Sequence, residues 1–399
     1  MTSIDLESDL SEEEQAIRER VHKFAEEVMR PAGIALDALA DPQEVIAPDS
    51  ILWGVYEQHE ALGLEAIADP ESGFTPTQQA RLRSIIGEEM GWGDSGLAIS
   101  FGVDTFPRTL ALMSGRPELI ERYARPGQRG CWAITEPDHG SDQIRFATDP
   151  KVGHLGRPNC VARKEGDEFV IRGQKAAWVS NGTIAQNAAL FCAVDLGQGV
   201  CGVGGFVVPL DDPAVSRGKP LDKIGQRALN QGEIFFDGLR VPAMNLVVQP
   251  EGYALFGDAG LSQANAGMGA TFVGLAQAAL DLAVAYSKER VQGGAPIFEH
   301  QNIKARLFEM FRKVETARAL NRRVLEYNAT HPPKVQYAIA SKVTSTNTAF
   351  EVASSALQVF GGNGLSREYP IEKLLRDARA SMIEDGCNEL LGLAAAERL

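Results

Sequence analysis

From Ser11 to about Arg30 the apolar residues Ile17, Val21, Phe24 and Val28 recur at helical spacing, which predicts one buried stripe on a helix. Ser11 followed by Glu14 reads as a capping box at its start, and Pro31 predicts its end. Apolar-periodic segments continue to about Tyr123, so the first third of the chain reads as helical. Between Gly130 and Val241 the period shortens. The β-rich runs Cys131 to Thr135, Phe169 to Arg172, Ala188 to Val194, Phe206 to Pro209 and Glu233 to Phe236 alternate with Gly, Asp, Asn and Pro turns, including a hairpin at Lys164 to Asp167. Strands without long helices between them predict an antiparallel sheet or small barrel. After Val241 helical spacing returns: Ile303, Leu307, Met310, Val314, Ala317 and Val324 form a seam, His331-Pro-Pro333 breaks it, and a second helix runs from about Lys334 to Phe360. Two long helices joined by so short a break pack antiparallel in a bundle. The expected fold class is α+β, with an N-terminal helical domain over 1–127, a middle antiparallel β domain over 128–242 and a C-terminal helical bundle over 243–399.

Composition narrows the function. The 399 residues are 44% hydrophobic and 23% charged, with no low-complexity linker, so the domains must pack together as a soluble globular protein. A net charge of -14 argues against binding a nucleic-acid backbone, which needs a basic face. Six scattered histidines offer no metal-ligand spacing, and no metal is expected. The five cysteines form no CxxC pair, and the acidic start MTSIDLESDLSEEEQAIRER lacks a basic-then-apolar leader; together these predict a cytoplasmic protein with reduced thiols. No apolar run approaches the roughly 20 residues that span a bilayer, so no membrane insertion is expected. Gly197 to Gly202 matches GxGxxG, but another strand follows it where a dinucleotide fold would place a helix, so it reads as a hairpin.

Three segments carry candidate chemistry. Trp132 to Asp142 ends a β run in a loop rich in hydroxyls and acids. Trp178 and Ser180 stand two apart, on one face of a strand, where an apolar plane and a hydroxyl suit a planar heterocycle such as a flavin. Gln358 to Gly364 brings glycines to the end of a long helix, where they serve either a close backbone approach to a ligand or an ordinary C-cap turn. His139 reads as a solvent-exposed loop histidine and Asp94 as a helix cap.

Over essentially its whole length the chain resembles an acyl-CoA dehydrogenase. Thr135-Glu136-Pro137 with Gly140-Ser141-Asp142, Trp178 with Ser180-Asn181, Arg240-Val-Pro-Ala-Met-Asn-Leu246, Glu289-Arg290 with His300-Gln301, and Gln358, Glu368-Tyr369-Pro370 and Arg376-Asp377-Ala378 stand in the family's order. The resemblance implies an enzyme dependent on flavin adenine dinucleotide (FAD), with a four-helix C-terminal bundle and assembly as a homotetramer. It implies that Trp132, Thr135, Trp178 and Ser180 line the flavin ring. Arg290, Gln301, Gln358, Gly361 and Gly362 would hold its pyrophosphate and adenosine across a subunit interface. Ser141 would hold the pantetheine arm of an acyl-CoA, with Asn265 and Gly386 also at the substrate. Electrons would pass to an electron-transferring flavoprotein. The rival readings are a flavin oxidase or monooxygenase of the same fold, a non-dehydrogenating relative, and, last, a nucleic-acid-binding or structural relative.

The reaction needs a carboxylate that removes the α proton of the thioester while the β hydride leaves, and hydrogen bonds to the thioester oxygen. The family's Tyr-Glu-Gly-Thr element reads here Glu384-Asp385-Gly386-Cys387, so the base position holds Asp385, with Glu384 the runner-up. Relatives acting on alicyclic or bulky acyl-CoAs also use Asp there. Asn265 stands where the family often has Arg, and Gly293-Gly294 replace the expected Phe.

Overall fold

The computed structural model describes residues 9–69, 71–143 and 158–399, so the first eight residues of the acidic N-terminus lie outside it. The N-terminal region consists of α1 (Glu12–Phe24), α2 (Arg30–Ala38), α3 (Pro42–Val45), α4 (Ile51–Ala61), α5 (Pro76–Gly93), α6 (Ser95–Asp104), α7 (Phe106–Ser114) and α8 (Pro117–Tyr123). Ser11 and Glu14 form the reciprocal capping box, with the Glu14 N–H donating to Ser11 Oγ at 3.2 Å and the Ser11 N–H to Glu14 Oε2 at 2.9 Å. Pro31 does not end the helix as expected. A π turn at Ala25–Met29 intervenes, and the helical backbone runs on through Pro31 into α2, the wider turn accommodating a residue that has no N–H to donate.

The middle region carries β1 (Gly130–Ala133), β2 (Val161–Glu165), β3 (Glu168–Ser180), β4 (Asn187–Asp195), β5 (Val200–Pro209), β6 (Val215–Arg217), β7 (Gln231–Pro242) and β8 (Leu246–Val248). Along the sheet the order is β6-β7-β3-β2-β4-β5-β8, with β1 also on β4. The sheet is mixed, a correction to the antiparallel expectation: β1 lies parallel to the first half of β4 (Gly130↔Asn187 to Ala133↔Leu190), and β2 lies parallel to its second half (Val161↔Ala193 to Arg163↔Asp195). Parallel pairing needs a crossover of a dozen or more residues, and the connections from β1 and β2 to β4 run through other strands, which a local period cannot reveal. Both hairpins are present. β2 and β3 turn between Glu165 and Glu168, and the GxGxxG segment is the β4–β5 turn, its Gly197 and Gly199 N–H groups donating to Asp195 Oδ1 at 2.7 and 3.0 Å.

The C-terminal region begins with α9 (Tyr253–Glu289), then a small hairpin of β9 (Val291–Gln292) and β10 (Ala295–Pro296), followed by α10 (Gln301–Thr330), α11 (Val335–Phe360), α12 (Ile371–Ser381) and α13 (Asn388–Ala396). The three long helices form the bundle, and α12 with α13 completes it. By length and composition Pro250–Glu289 could cross a membrane, contrary to the reading from unbroken apolar runs, but 72% of its apolar window is buried inside the protein. It is the central helix, packed on α5, α10 and α11. Small residues allow α5 and α9 to touch through their backbones: a Cβ on Gly274 would lie 1.9 Å from the Glu88 carbonyl oxygen, and one on Gly91 would lie 1.9 Å from that of Thr271. Gly274→Ala is therefore expected to destabilise the protein by about 1–3 kcal/mol through overpacking. Urea unfolding checks this, and an unchanged midpoint would count against so close a contact.

Candidate active site

Between α12 and α13 the chain makes a turn on which Asp385 has a φ of 50° and Gly386 a φ of 89°. A left-handed φ is tolerated by Asp far better than by bulkier residues. Three side chains hold the turn. Gln226 Nε2 donates to Glu384 Oε1 at 2.6 Å, Lys342 Nζ donates to the Gly386 carbonyl at 2.9 Å, and the Cys387 N–H donates to Ser141 Oγ at 3.0 Å. Gln226 and Ser141 come from loops of the middle region and Lys342 from α11. Behind Gln226 lies a buried ionic chain: its N–H donates to Asp377, and Lys373 Nζ bridges Asp377 and Asp94 at 2.6 Å each. Asp94 caps α6 as expected, accepting the Leu97 N–H at 2.8 Å, and also pairs with Lys373.

The two adjacent carboxylates have different surroundings. Burial pushes Glu384 up to about 7, against the hydrogen bond from Gln226 and with the negative charge of Asp385 raising it further. Asp385 is also raised by burial, and Lys342 pulls it back down. Asp385 keeps accessible surface on the turn, and among the described residues nothing hydrogen-bonds to its carboxylate. Glu384 is occupied; Asp385 is free to meet a ligand.

The loop that carries Thr135 and Ser141 rests on a pair the sequence reading did not single out. Lys175 and Glu136 are both fully buried, with Nζ to Oε1 at 2.6 Å. Lys175 Nζ also donates to the Ile134 carbonyl at 3.0 Å, and the Asn159 and Cys160 N–H groups donate to Glu136 at 2.5 and 3.1 Å. The signal available was a lysine directly before the apolar run Ala176-Ala177-Trp178-Val179 of β3. The Thr135 carbonyl accepts the Ala176 N–H at 2.8 Å, which joins this loop to β3. His139 is not the exposed histidine expected: its side chain is 12% exposed, with Nδ1 2.9 Å from Asp142 Oδ2, because the loop folds back on itself.

At the far end of β3, Trp178 is 60% exposed. Ser180 Oγ accepts from Gln231 Nε2 at 3.1 Å, leaving its O–H free to donate. Trp132 lies between Phe106 and Phe191, at ring-centroid distances of 4.6 and 4.5 Å. Asn265 is wholly buried in α9, and neither polar atom of its amide has a partner among the described residues.

Arg290, Gln301, Gln358, Gly361 and Gly362 collect, all exposed, at one end of the bundle. Gly361 takes a φ of 60° as the C-cap of α11, and a Cβ on Gly364 would lie 2.7 Å from the Leu357 carbonyl oxygen, so the turn explains those two glycines. Around Gly362 there is open space. Gln358 follows Lys342 by sixteen residues of one helix, about 24 Å at 1.5 Å per residue. Of the sequence-predicted residues, a single chain brings Ser141 and Gly386 together with Asp385 at the turn, and Arg290, Gln301, Gln358, Gly361 and Gly362 together at the far end of α11.

Helical N- and C-terminal regions thus flank a mixed sheet in sequence, and side chains of the middle region hold the carboxylate-bearing turn between the last two helices. Sequence models of the acyl-CoA dehydrogenase middle domain and C-terminal domain match residues 131–239 and 251–399. The short-chain specific acyl-CoA dehydrogenase of Bos taurus mitochondria is 30% identical, covering 98% of this chain and 91% of its own. Cyclohex-1-ene-1-carbonyl-CoA dehydrogenase of Geobacter metallireducens is 31% identical, covering 79% and 81%. Among solved structures, butyryl-CoA dehydrogenase from Megasphaera elsdenii superposes with a TM-score of 0.84 at 25% identity, covering 98% of both chains. The chain belongs to the acyl-CoA dehydrogenase family, and its activity is the dehydrogenation of an acyl-CoA thioester.

Proposed function

We propose that the protein removes the α proton and β hydride of a branched or alicyclic acyl-CoA to give the 2-enoyl-CoA, with Asp385 as the base. The observation that carries the choice of base is the free carboxylate of Asp385 beside the hydrogen-bonded Glu384. Asp is one methylene shorter than Glu, which sets the carboxylate back by roughly 1.5 Å, a distance that matters for attack geometry. That space suits a bulkier acyl group, as does the likeness to a dehydrogenase whose name specifies an alicyclic substrate. The N–H groups of Asp385 and Gly386 have no acceptor among the described residues, and they are the donors for the thioester oxygen as it gains negative charge. Ser141, already placed against this turn, holds the pantetheine arm.

The residues present fit FAD. A Trp as exposed as Trp178 offers a bare aromatic face, the Ser180 O–H stands two residues on, and Gly362 leaves open space for a close approach. Trp178 and Ser180, with Thr135 and Trp132 on the neighbouring strand and loop, would hold the ring; Arg290, Gln301, Gln358, Gly361 and Gly362 would hold the pyrophosphate and adenosine. When bound, the flavin accepts the hydride. Because the two groups are separated along α11, the second belongs to the site of a neighbouring copy in a homotetramer. Phe308 at 64% and Phe311 at 45% exposure on α10 supply apolar surface for that contact. An electron-transferring flavoprotein is the proposed acceptor.

Anaerobic titration of the flavin-loaded protein with straight, branched and alicyclic acyl-CoAs, followed by flavin absorbance, tests the reading. Bleaching by the branched or alicyclic esters is expected. If none of the esters bleaches the flavin, the proposed reaction is wrong; if only straight-chain esters do, the proposed substrate class is wrong.

A further inference from the structure

The side chain of Lys342 is fully buried beneath the Asp385 turn. Its ammonium donates to the Gly386 carbonyl and to Asn388 Oδ1, both at 2.9 Å. Asn388, the first residue of α13, is fixed in turn to α11 through Thr346 Oγ1 at 3.0 Å and Asn347 Oδ1 at 3.1 Å. One cation therefore pins both the carbonyl that follows the base and the helix that follows the turn. Among the described residues no carboxylate lies within ion-pair distance of it. A buried charge satisfied only by neutral acceptors is unfavourable, and a scaffold could join these helices with apolar side chains instead.

We infer that Lys342 is the positioning residue for proton abstraction: by clamping the Gly386 carbonyl it holds Asp385 in its left-handed conformation, and it supplies the positive charge that faces the base. The inference rests on Asp385 being that base. Asp385, Glu384, Cys387 and Glu389 are the titratable groups that act on Lys342, while Lys223 and Lys342 are the cations acting on Glu384. Burial lowers the Lys342 ammonium to about 8, and its charge opposes the rise that burial imposes on Asp385. Removing that charge raises the Asp385 pKa further, so the base ionises only at higher pH.

Stopped-flow reduction of the flavin-loaded enzyme by its best acyl-CoA, measured across pH for wild type, Lys342→Met and Lys342→Arg, tests this. In Lys342→Met the limiting rate is expected to fall roughly a hundredfold through misplacement of the base. Acyl-CoA affinity stays near that of wild type, and the acid limb of the profile moves up by about one pH unit. Lys342→Arg keeps the charge without the point geometry, so it returns the limb to its wild-type position with only part of the rate. Wild-type rate and limb in Lys342→Met would overturn the inference while leaving the reaction intact. No reduction of the wild-type enzyme by any ester would overturn the reaction and this inference together. If Lys342→Met does not fold, Lys342→Arg decides: a reduced rate on an unmoved limb supports the clamp, and a wild-type rate overturns it.

Discussion

In Asp385→Asn, the rate of flavin reduction by a productive acyl-CoA is expected to fall by roughly 10²- to 10⁴-fold, the usual contribution of a positioned general base. Asn keeps the size of the side chain and tolerates the left-handed φ of 50°, so the turn and its three tethers stay in place. Binding of the ester, read by perturbation of the flavin spectrum, should therefore survive while the reaction does not. Glu384→Gln provides the contrast. It leaves the Asp385 carboxylate in place and removes only the carboxylate that Gln226 holds. A collapse of the rate in Glu384→Gln with little change in Asp385→Asn would transfer the role of base to Glu384. The sign of the pH dependence is fixed as well. A base must be unprotonated, and Asp385 is shifted upward, so the wild-type rate rises with pH through that raised value.

Lys175→Met is expected to destabilise the protein by about 3–5 kcal/mol, because it strands the Glu136 carboxylate in a site with no accessible surface. The Asn159 and Cys160 N–H groups that still donate to Glu136 offset only part of that burial. The damage reaches the proposed active site, since Ile134 and Glu136 flank Thr135 and the same loop delivers Ser141 to the Asp385 turn. Chemical unfolding of Lys175→Met and of Lys175→Met with Glu136→Gln separates the two effects. The double variant should recover much of the lost stability, because no charge is left unpaired. Equal stability of wild type and the single variant would show that the pair is not buried as described.

The order of elements was legible because period-3.6 and period-2 patterns are local properties, and the capping box at Ser11 and both hairpins could be placed from a few adjacent residues. Pro31 misled because its effect depends on the turn before it, and a π turn moved it into a position that tolerates proline. The parallel strands escaped notice because pairing partners of β4 are set by long connections. The proposed base Asp385 could be singled out from its neighbours in sequence, whereas the structural partners Lys342, Gln226 and the pair of Lys175 with Glu136 could not. Their roles arise from residues more than thirty positions away along the chain, as when Gln226 meets Glu384, and no spacing rule encodes such a meeting.

The tethering of the Asp385 turn by Ser141 and Gln226 on one side and by Lys342 on the other makes the proposed base a mechanical sensor of how the regions sit together. The sheet region and the helical bundle cannot separate without releasing it. Heating should accordingly extinguish dehydrogenation in the same cooperative transition that parts these regions, leaving no temperature at which a melted sheet coexists with an intact Asp385 turn.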